Sequence, residues 1–230
     1  MVRPATKRSP KRTKSRPKRT RETRERLLEV AGQVFAEKGY ERTTAKEIAK
    51  RAGINAAAVN YYFGGVDELY LAVIEEARSR SVTYEKLAAA INGKTEPVDK
   101  LQAMLEFLVR LLTGPFASSW MARIFARELV SPSPVLKRLD WRDTEKRLAL
   151  LRELVGAYAG LHPDDPEVAY ACWSLAAPFT LLLTADRRRF AHMFPEMDLS
   201  EKGAVALTRH LERFALGGLQ TIARRADDRL

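Results

Sequence analysis

The chain has 230 residues, of which 46% are hydrophobic and 30% charged, so it can form one large or two small soluble globular domains. Its formal net charge of +11, from 40 Lys and Arg against 29 Asp and Glu, favours a polyanionic partner such as nucleic acid. The single cysteine, Cys172, excludes an intrachain disulfide, and the basic start lacks the apolar core of a secretory signal, so we expect a cytoplasmic protein.

The positive charge is concentrated at the N-terminus. Residues 1–19 contain nine Lys and Arg and no acid, which leaves a charge of only +2 (11 − 9) for residues 20–230. This stretch also has three prolines and few apolar side chains, so it cannot bury enough surface to offset the entropy of ordering. We predict a disordered basic arm that either binds DNA or serves only as a solubilising tail.

Helical periodicity begins at Thr20. Apolar residues then share one stripe of an amphipathic helix, namely Leu27, Leu28, Ala31, Val34 and Phe35. Gly39 follows in the position that glycine favours after a helix C-terminus. The spacing therefore predicts a first helix that starts near residue 20 and ends just before Gly39.

Three further helices are predicted close behind the first. The second, at 44–52, opens with the capping box Thr44–Glu47, in which side chains satisfy free backbone amides of the first turn. A tight turn at 53–55 leads to a third short helix at 56–63. A glycine pair at 64–65 separates it from the fourth helix. Two short helices joined by a glycine-bearing turn are typical of the DNA-binding helix-turn-helix, although many helical proteins contain similar corners.

The rest of the chain is also predicted to be helical. The expected segments are 98–113, 117–130, 135–158, 166–185 and 200–226. We therefore predict an all-α fold, with a three-helix helix-turn-helix DNA-binding domain at 20–66 and a helical ligand-binding and dimerisation domain at 67–230. The apolar run 173–185 is broken by polar residues and is shorter than the roughly 20 residues that span a bilayer, so no membrane partner is expected.

Sequence motifs in residues 24–74 strengthen the prediction of a helix-turn-helix. The stretch contains the turn FAEKGY, the segment TTAKEIAKRAGI and an aromatic pair before Phe63. It resembles the N-terminal domain of the TetR/AcrR family of bacterial regulators, while AAAVNYYFGG and the later IFARELVSPSP at 124–134 are similar to the CecR subgroup. The resemblance implies an all-helical homodimer on double-stranded DNA, with two recognition helices in successive major grooves and a pocket for a small-molecule effector in the C-terminal domain.

In this family the first turn of the recognition helix faces the base edges. That turn corresponds here to Asn55, Ala56, Ala57 and Ala58. Alanines can make only close apolar contacts, for example with thymine methyl groups. Asn60 can bridge an adenine or hold a phosphate, and it stands where many relatives have a tyrosine.

Phosphate contacts are expected on both sides of the recognition helix. Thr44 can offer its hydroxyl and amide to a phosphate, or it can simply cap its helix. Tyr61 and Tyr62 can reach phosphates through their hydroxyls, with the alternative that one of them is core, and Phe63 is predicted to be core.

One position departs from the family pattern. Relatives usually carry a phosphate-binding lysine where this chain has Val66. We expect Lys46, Lys50 or the basic arm to supply the missing charge. Basic arms of helix-turn-helix proteins can enter a minor groove or follow phosphates, and the arm residues nearest the domain are Arg16, Lys18 and Arg19.

The C-terminal domain offers candidates for an effector pocket. Apolar and aromatic side chains are expected to line it, with charged groups either facing the cavity or lying on a solvated face. The candidates are Met104, Phe107, Leu108, Trp120, Met121, Arg123, Phe125, Arg127, Trp141, Tyr170 and Trp173. For dimerisation, the resemblance implies a four-helix bundle from segments 166–185 and 200–226, where Gly217 and Gly218 permit close approach of two helices.

Enzymatic functions have little support in this sequence. His162, His192 and His210 are isolated from one another without metal-ligand spacing, and no catalytic residues, metal or cofactor are expected. The leading hypothesis is a ligand-responsive repressor that binds a palindromic operator as a homodimer, with activation left open. The alternatives are an architectural DNA-coating protein driven by the basic arm, and a helical enzyme that has kept the fold.

Overall fold

The computed structural model describes residues 16–227, with side chains from 20 to 224, so residues 1–15 of the predicted arm lie outside the described part. Within that part the chain forms α-helices, two 3₁₀ turns and no strand, which confirms the all-α prediction. The helices are α1 (Arg16–Lys38), α2 (Ala45–Ala52), α3 (Ala57–Phe63), α4 (Val66–Arg80), α5 (Tyr84–Ile91), α6 (Pro97–Thr113), α7 (Trp120–Val130), α8 (Arg142–Ala159), α9 (Pro166–Thr184), α10 (Arg187–Met193) and α11 (Ala204–Asp227). The 3₁₀ turns are Pro115–Ser118 and Pro134–Arg138.

Helix α1 begins at Arg16, four residues earlier than the periodicity predicts, so residues 16–19 are helical and do not belong to a disordered arm. Pro17 is compatible with this start because amides of the first helical turn have no partner within the helix. At the other end Gly39 takes a left-handed conformation with φ of 82°, as its position predicts. The helix is therefore extended only at its basic N-terminal end.

Helices α2 and α3 form the predicted helix-turn-helix. The Thr44 hydroxyl accepts a hydrogen bond from the Glu47 amide at 3.3 Å, which confirms the cap. Gly53 ends α2 with φ of 64°, a backbone conformation that an L side chain rarely adopts. Helix α3 starts at Ala57, one residue later than predicted.

The N-terminal core joins the first four helices to α7. Leu27 and Phe35 of α1, Val59 of α3 and Tyr70 of α4 are fully buried in this core. Trp120 and Ile124 of α7 belong to the same core, as do Val135 and Leu139 from the segment that follows α7. The fourth helix, predicted to open the C-terminal domain, thus packs with the helix-turn-helix.

The remaining helices pack around two apolar clusters. One buries Leu101 of α6 against Val155 of α8 and Val168 of α9. The other buries Val109 of α6 with residues of α9 and α11, including Phe179. These clusters form the interior of the C-terminal part.

Several C-terminal boundaries differ from the prediction. The helix expected at 135–158 is split into Pro134–Arg138 and α8, because Leu139 is extended and the Asp140 carboxylate accepts a hydrogen bond from the Arg142 amide at 3.0 Å. Similarly, the segment expected at 117–130 begins as a 3₁₀ turn, and Ser119 then caps α7. The last helix starts at Ala204 instead of residue 200. Helices α5 and α10 were not predicted.

Helix α9 is longer than the apolar run that marks it in the sequence. It runs unbroken from Pro166 to Thr184 with Pro178 inside it. Among the described residues it is the one helix long and apolar enough, by length and composition, to cross a membrane, and only 17% of that stretch is buried. The run at 173–185 is thus part of a helix that is long enough to span a bilayer, so the expectation that length excludes a span is wrong. The polar residues interrupt the apolar pattern but do not interrupt the helix.

Candidate nucleic-acid interface

Helix α3 has a small exposed face, and its opposite face is anchored in the core by a fully buried valine. Val59 points into the core and Ala58 packs against it, whereas Ala56, Ala57 and Asn60 are exposed. A seven-residue helix is too short to be stable alone, so its position is set by its packing on α2 and α4. The packing of α3 on α2 and α4 therefore fixes the position of its exposed side chains.

Two polar side chains at the helix starts have both a structural contact and spare hydrogen-bonding capacity. The Asn55 side-chain oxygen accepts a hydrogen bond from the Ala57 amide at 2.9 Å, which leaves its NH₂ group exposed and able to donate. The Thr44 hydroxyl is exposed while it caps α2. Capping therefore does not prevent either residue from meeting an outside partner.

The two tyrosines of α3 have different environments. Tyr61 is 79% exposed, whereas Tyr62 is half-buried and packs against the N-terminal core. Their rings meet edge to face with centroids 4.9 Å apart. Phe63 is also half-buried against the core. Tyr61 is thus the surface aromatic of the pair, and Tyr62 holds it in place.

Several lysines and arginines lie near α3, and some of them form no ion pair with a carboxylate. Lys46 and Lys50 on α2 are exposed, and no ion pair of either is recorded among the described residues. By contrast, Lys38 contacts Glu47 at 2.6 Å and lowers the pKa of that carboxyl. Arg51 contacts Glu37 at 2.5 Å. Exposed, unpaired cations are the ones available to a polyanion.

Two arginines of α1 that the sequence analysis did not single out lie beside the helix-turn-helix. The Arg24 guanidinium is 4.8 Å from the centroid of the Phe63 ring, and the Arg26 guanidinium lies next to Gly53. Arg24 continues the line of the buried stripe one turn before Leu28, and that placement is the signal that could have found it, whereas Arg26 lies on the opposite face of α1. The side chains of Arg16, Lys18 and Arg19 lie outside the described residues. Val66 is half-buried against the N-terminal core.

Helix α7 packs against α1 and α4 of the N-terminal core. The Trp120 indole donates a hydrogen bond to Glu29 at 2.9 Å, and its ring lies so close to Gly32 that an added Cβ would be 2.6 Å from ring atoms. Two turns further along α7, the Arg127 guanidinium donates to the Ala36 carbonyl near the end of α1 at 3.4 Å. These contacts connect α7 to the C-terminal half of α1.

A buried carboxylate forms the third contact of α7. Glu128 accepts hydrogen bonds from the Tyr70 hydroxyl at 2.5 Å, from the Ser133 amide at 2.8 Å and from the Ser133 hydroxyl at 3.0 Å. Burial, together with the bond to Glu128, raises the pKa of Tyr70 above its usual range. The helix-turn-helix is therefore tied to α7 through α1 and α4.

The structure does not bring the eleven proposed pocket residues together. Trp120, Met121, Phe125 and Arg127 pack against the N-terminal core or α1, and Met104, Phe107 and Leu108 pack in the C-terminal core. Arg123 is exposed and donates to the Ser118 carbonyl, while Trp141 lies under the Arg78 guanidinium. Trp173 is 75% exposed. Of the set, Tyr170 lines the apolar cavity described next.

That cavity lies between α6, α9 and α11 and has a volume of about 270 Å³. Its walls include Tyr170, Phe179, Phe214 and Gly218. It opens on the surface where α9 and α11 expose aromatic side chains. Its lining contains hardly any polar side chain besides Ser174 and the Tyr170 hydroxyl, so it suits an apolar occupant.

The second helix of the helix-turn-helix is exposed, unpaired cations lie beside it, and the rest of the chain is helical. These features define the class of DNA-binding transcriptional regulators. The comparisons with known proteins agree. Residues 27–73 match the model for bacterial regulatory proteins of the tetR family, and residues 97–219, more than half of the chain, match the C-terminal domain of the HTH-type transcriptional dual regulator CecR. The chain belongs to the TetR family, with a C-terminal domain of the CecR type.

Individual relatives support the same assignment. The probable HTH-type transcriptional regulator YttP of Bacillus subtilis is 32% identical over 51% of this chain and 55% of its own length. CecR of Shigella flexneri is 28% identical over 62% of this chain and 67% of its own length, so these matches span about half to two thirds of each relative. The regulator FadR from Bacillus subtilis, solved in complex with stearoyl-CoA, superposes with a TM-score of 0.60 at 19% identity over 84% of this chain and 98% of its own.

Proposed function

We propose that this chain is a ligand-responsive repressor that binds a palindromic operator as a homodimer. The observation that carries the proposal is the exposed face of α3, held on buried Val59 beside unpaired Lys46 and Lys50. A short rigid helix with exposed polar and methyl-bearing side chains matches the dimensions and chemistry of the major groove. In our division of the chain, residues 20–66 read DNA and residues 67–230 sense and dimerise.

The residues that we propose to contact DNA divide by chemistry into base contacts and phosphate contacts. Asn60 has an exposed amide group and Asn55 a free NH₂ that can pair with base edges, and the alanines at 56–58 suit thymine methyl groups. Thr44, Lys46, Tyr61 and Tyr62, with Arg16, Lys18 and Arg19 at the start of α1, are assigned to phosphates. Base contacts supply specificity, whereas phosphate contacts supply affinity and register.

A second copy of the chain is the proposed cover for the exposed face of α9 and α11. Trp173 and Phe214 are each 75% exposed, and the apolar stretch of α9 is only 17% buried. An exposed apolar surface of that kind marks an interaction site, and we assign it to a second copy of the chain. Gly217 and Gly218 have open space around them, which permits close approach across a two-fold axis.

The effector is proposed to enter the apolar cavity between α6, α9 and α11. FadR from Bacillus subtilis binds stearoyl-CoA, a ligand with a long apolar chain, and the lining of the cavity here suits an apolar group of that kind. A shift of α9 can reach the DNA-facing helices because α9 packs on α7, which is tied to α1 and α4. Ligand binding would then favour one spacing of the two recognition helices over another.

The test is fluorescence anisotropy of the full chain on the DNA upstream of its own gene and on a scrambled duplex, at several salt concentrations. We expect a preference of about a thousandfold or more for the operator-bearing duplex. The competing architectural function is favoured by the nine basic residues at 1–19. Equal affinity for both duplexes, with a steep salt dependence, would support that function and contradict an operator in this region.

A further inference from the structure

The recognition helix itself carries no charge. Its sequence from Ala57 to Phe63 is AAVNYYF, with neither an acidic nor a basic residue. Neutralisation of phosphates by Lys and Arg nevertheless supplies most of the affinity of a protein for DNA. The cations that flank α3 must therefore come from other elements of the fold.

Arg24 of α1 is the described cation whose guanidinium contacts α3 directly. Its Cζ lies 4.8 Å from the centroid of the Phe63 ring, at the C-terminal end of α3. No carboxylate among the described residues forms an ion pair with it, whereas Arg21, one turn earlier, is paired with Glu25 at 2.8 Å. Arg24 is exposed, and its charge is free for an outside partner.

The contact with Phe63 fixes the guanidinium without consuming its hydrogen-bond donors. A guanidinium held over an aromatic face by a cation–π contact keeps its N–H groups available to two oxygens of a phosphate. Phe63 is held in turn by its packing on the N-terminal core. A preorganised arginine loses less side-chain entropy on binding than a free one.

We propose that Arg24 holds a DNA phosphate at the C-terminal end of α3 and that Phe63 is its positioning residue. The inference rests on the proposed DNA-binding function and adds to it a pair that joins α1 to the recognition helix. Arg24 makes a sequence-independent contact, so it sets the docking of α3 in the groove and not the choice of bases.

The experiment is a double-mutant cycle on the full chain with Arg24→Gln, Phe63→Leu and both together. Anisotropy is measured on the upstream duplex and on its scrambled counterpart from about 50 to 200 mM salt, and thermal melts check that each variant is folded. The matched control is Lys94→Gln, which removes an exposed positive charge from the loop between α5 and α6.

Arg24→Gln should reduce the slope of log K against log salt by about 0.9 on both duplexes, and Lys94→Gln should leave it unchanged. Phe63→Leu should weaken binding severalfold in the unsubstituted chain and cause no further loss beside Arg24→Gln. An unchanged slope in Arg24→Gln, or equal effects of Phe63→Leu in both backgrounds, would overturn the inference alone. Failure of the unsubstituted chain to bind either duplex would overturn the proposed function with it.

Discussion

The hydroxyl of Tyr70 on α4 donates a hydrogen bond of 2.5 Å to the buried carboxylate of Glu128 on α7, across 58 positions in the sequence. Ser133 supplies two more donors to the same carboxylate, so its oxygens are well satisfied. A buried carboxylate that loses a donor retains its desolvation cost. This pair therefore joins α7 to α4, the helix on which α3 packs.

Removal of the Tyr70 hydroxyl should destabilise the protein. Tyr70→Phe leaves the ring in place but deprives Glu128 of one donor, with an expected loss of about 1–3 kcal/mol in the free energy of unfolding. Urea unfolding followed by circular dichroism measures it. Tyr61→Phe is the matched control, because that hydroxyl is exposed, and it should leave the free energy unchanged. Equal stability of the two variants would contradict a role for the buried bond.

Alkaline pH should weaken the fold through Tyr40. Its hydroxyl donates to Asp67 at 2.8 Å, and this bond raises the pKa of Tyr40 to about 12 from an ordinary value of 10.0. Because the folded state holds the proton more tightly, this contribution is present below about pH 10 and is lost as pH rises towards about 12. In urea unfolding across that range, Tyr40→Phe should flatten the decline. A decline as steep as that of the unsubstituted chain would exclude the Tyr40 contribution.

The close contact between Gly32 and Trp120 should make a normally favourable helix substitution harmful. Gly32→Ala adds a Cβ 2.6 Å from the indole, so α7 must move, and we expect a loss of about 1–3 kcal/mol in the free energy of unfolding. Gln33→Ala, on the exposed side of the same turn, should have little effect. A Gly32→Ala variant as stable as the parent would mean that α7 does not press on α1 in solution.

Charged residues on the exposed aromatic face should prevent dimerisation. We expect Trp173→Glu and Phe214→Glu each to convert a dimer into a monomer in sedimentation-velocity experiments, because a carboxylate would be buried without a partner. Leu148→Glu, at an exposed apolar position on α8, should leave the dimer intact. A monomeric parent chain, or dimers in all variants, would argue against this interface.

Base readout and phosphate contact should separate experimentally. Asn60→Ala should weaken binding to the operator by about 1–3 kcal/mol while it leaves the affinity for a scrambled duplex almost unchanged. Lys46→Gln should instead weaken both complexes and lower the salt slope by about 0.9. Anisotropy titrations of both variants on both duplexes test this, and parallel losses for Asn60→Ala would assign it to a phosphate.

Short-range signals account for the parts of the fold that the sequence predicts well. Thr44 caps a helix through an amide three residues away, and Gly53 and Gly39 end helices by adopting conformations that other residues avoid. Helices α5 and α10 have comparable short-range signals, because Thr83 accepts a hydrogen bond from the Lys86 amide at 3.3 Å and Asp186 accepts one from the Arg188 amide at 2.9 Å. Helices α2 and α3 are equally short, so length does not separate the predicted helices from the missed ones. The motif of the helix-turn-helix identifies α2 and α3, whereas α5 and α10 have only their caps, and helices of this length depend on packing for stability.

By itself, the sequence determined the helix-turn-helix, its cap and turn, and the all-helical character of the chain, because these depend on neighbours within one or two turns. Only the tertiary structure decided the roles of α7. In the sequence, Arg127 and Trp120 are equally compatible with a pocket, but they meet α1 across 91 positions. The contact of Arg24 with Phe63 likewise could not be predicted from the sequence, because the partner of an exposed charge depends on which helices pack side by side.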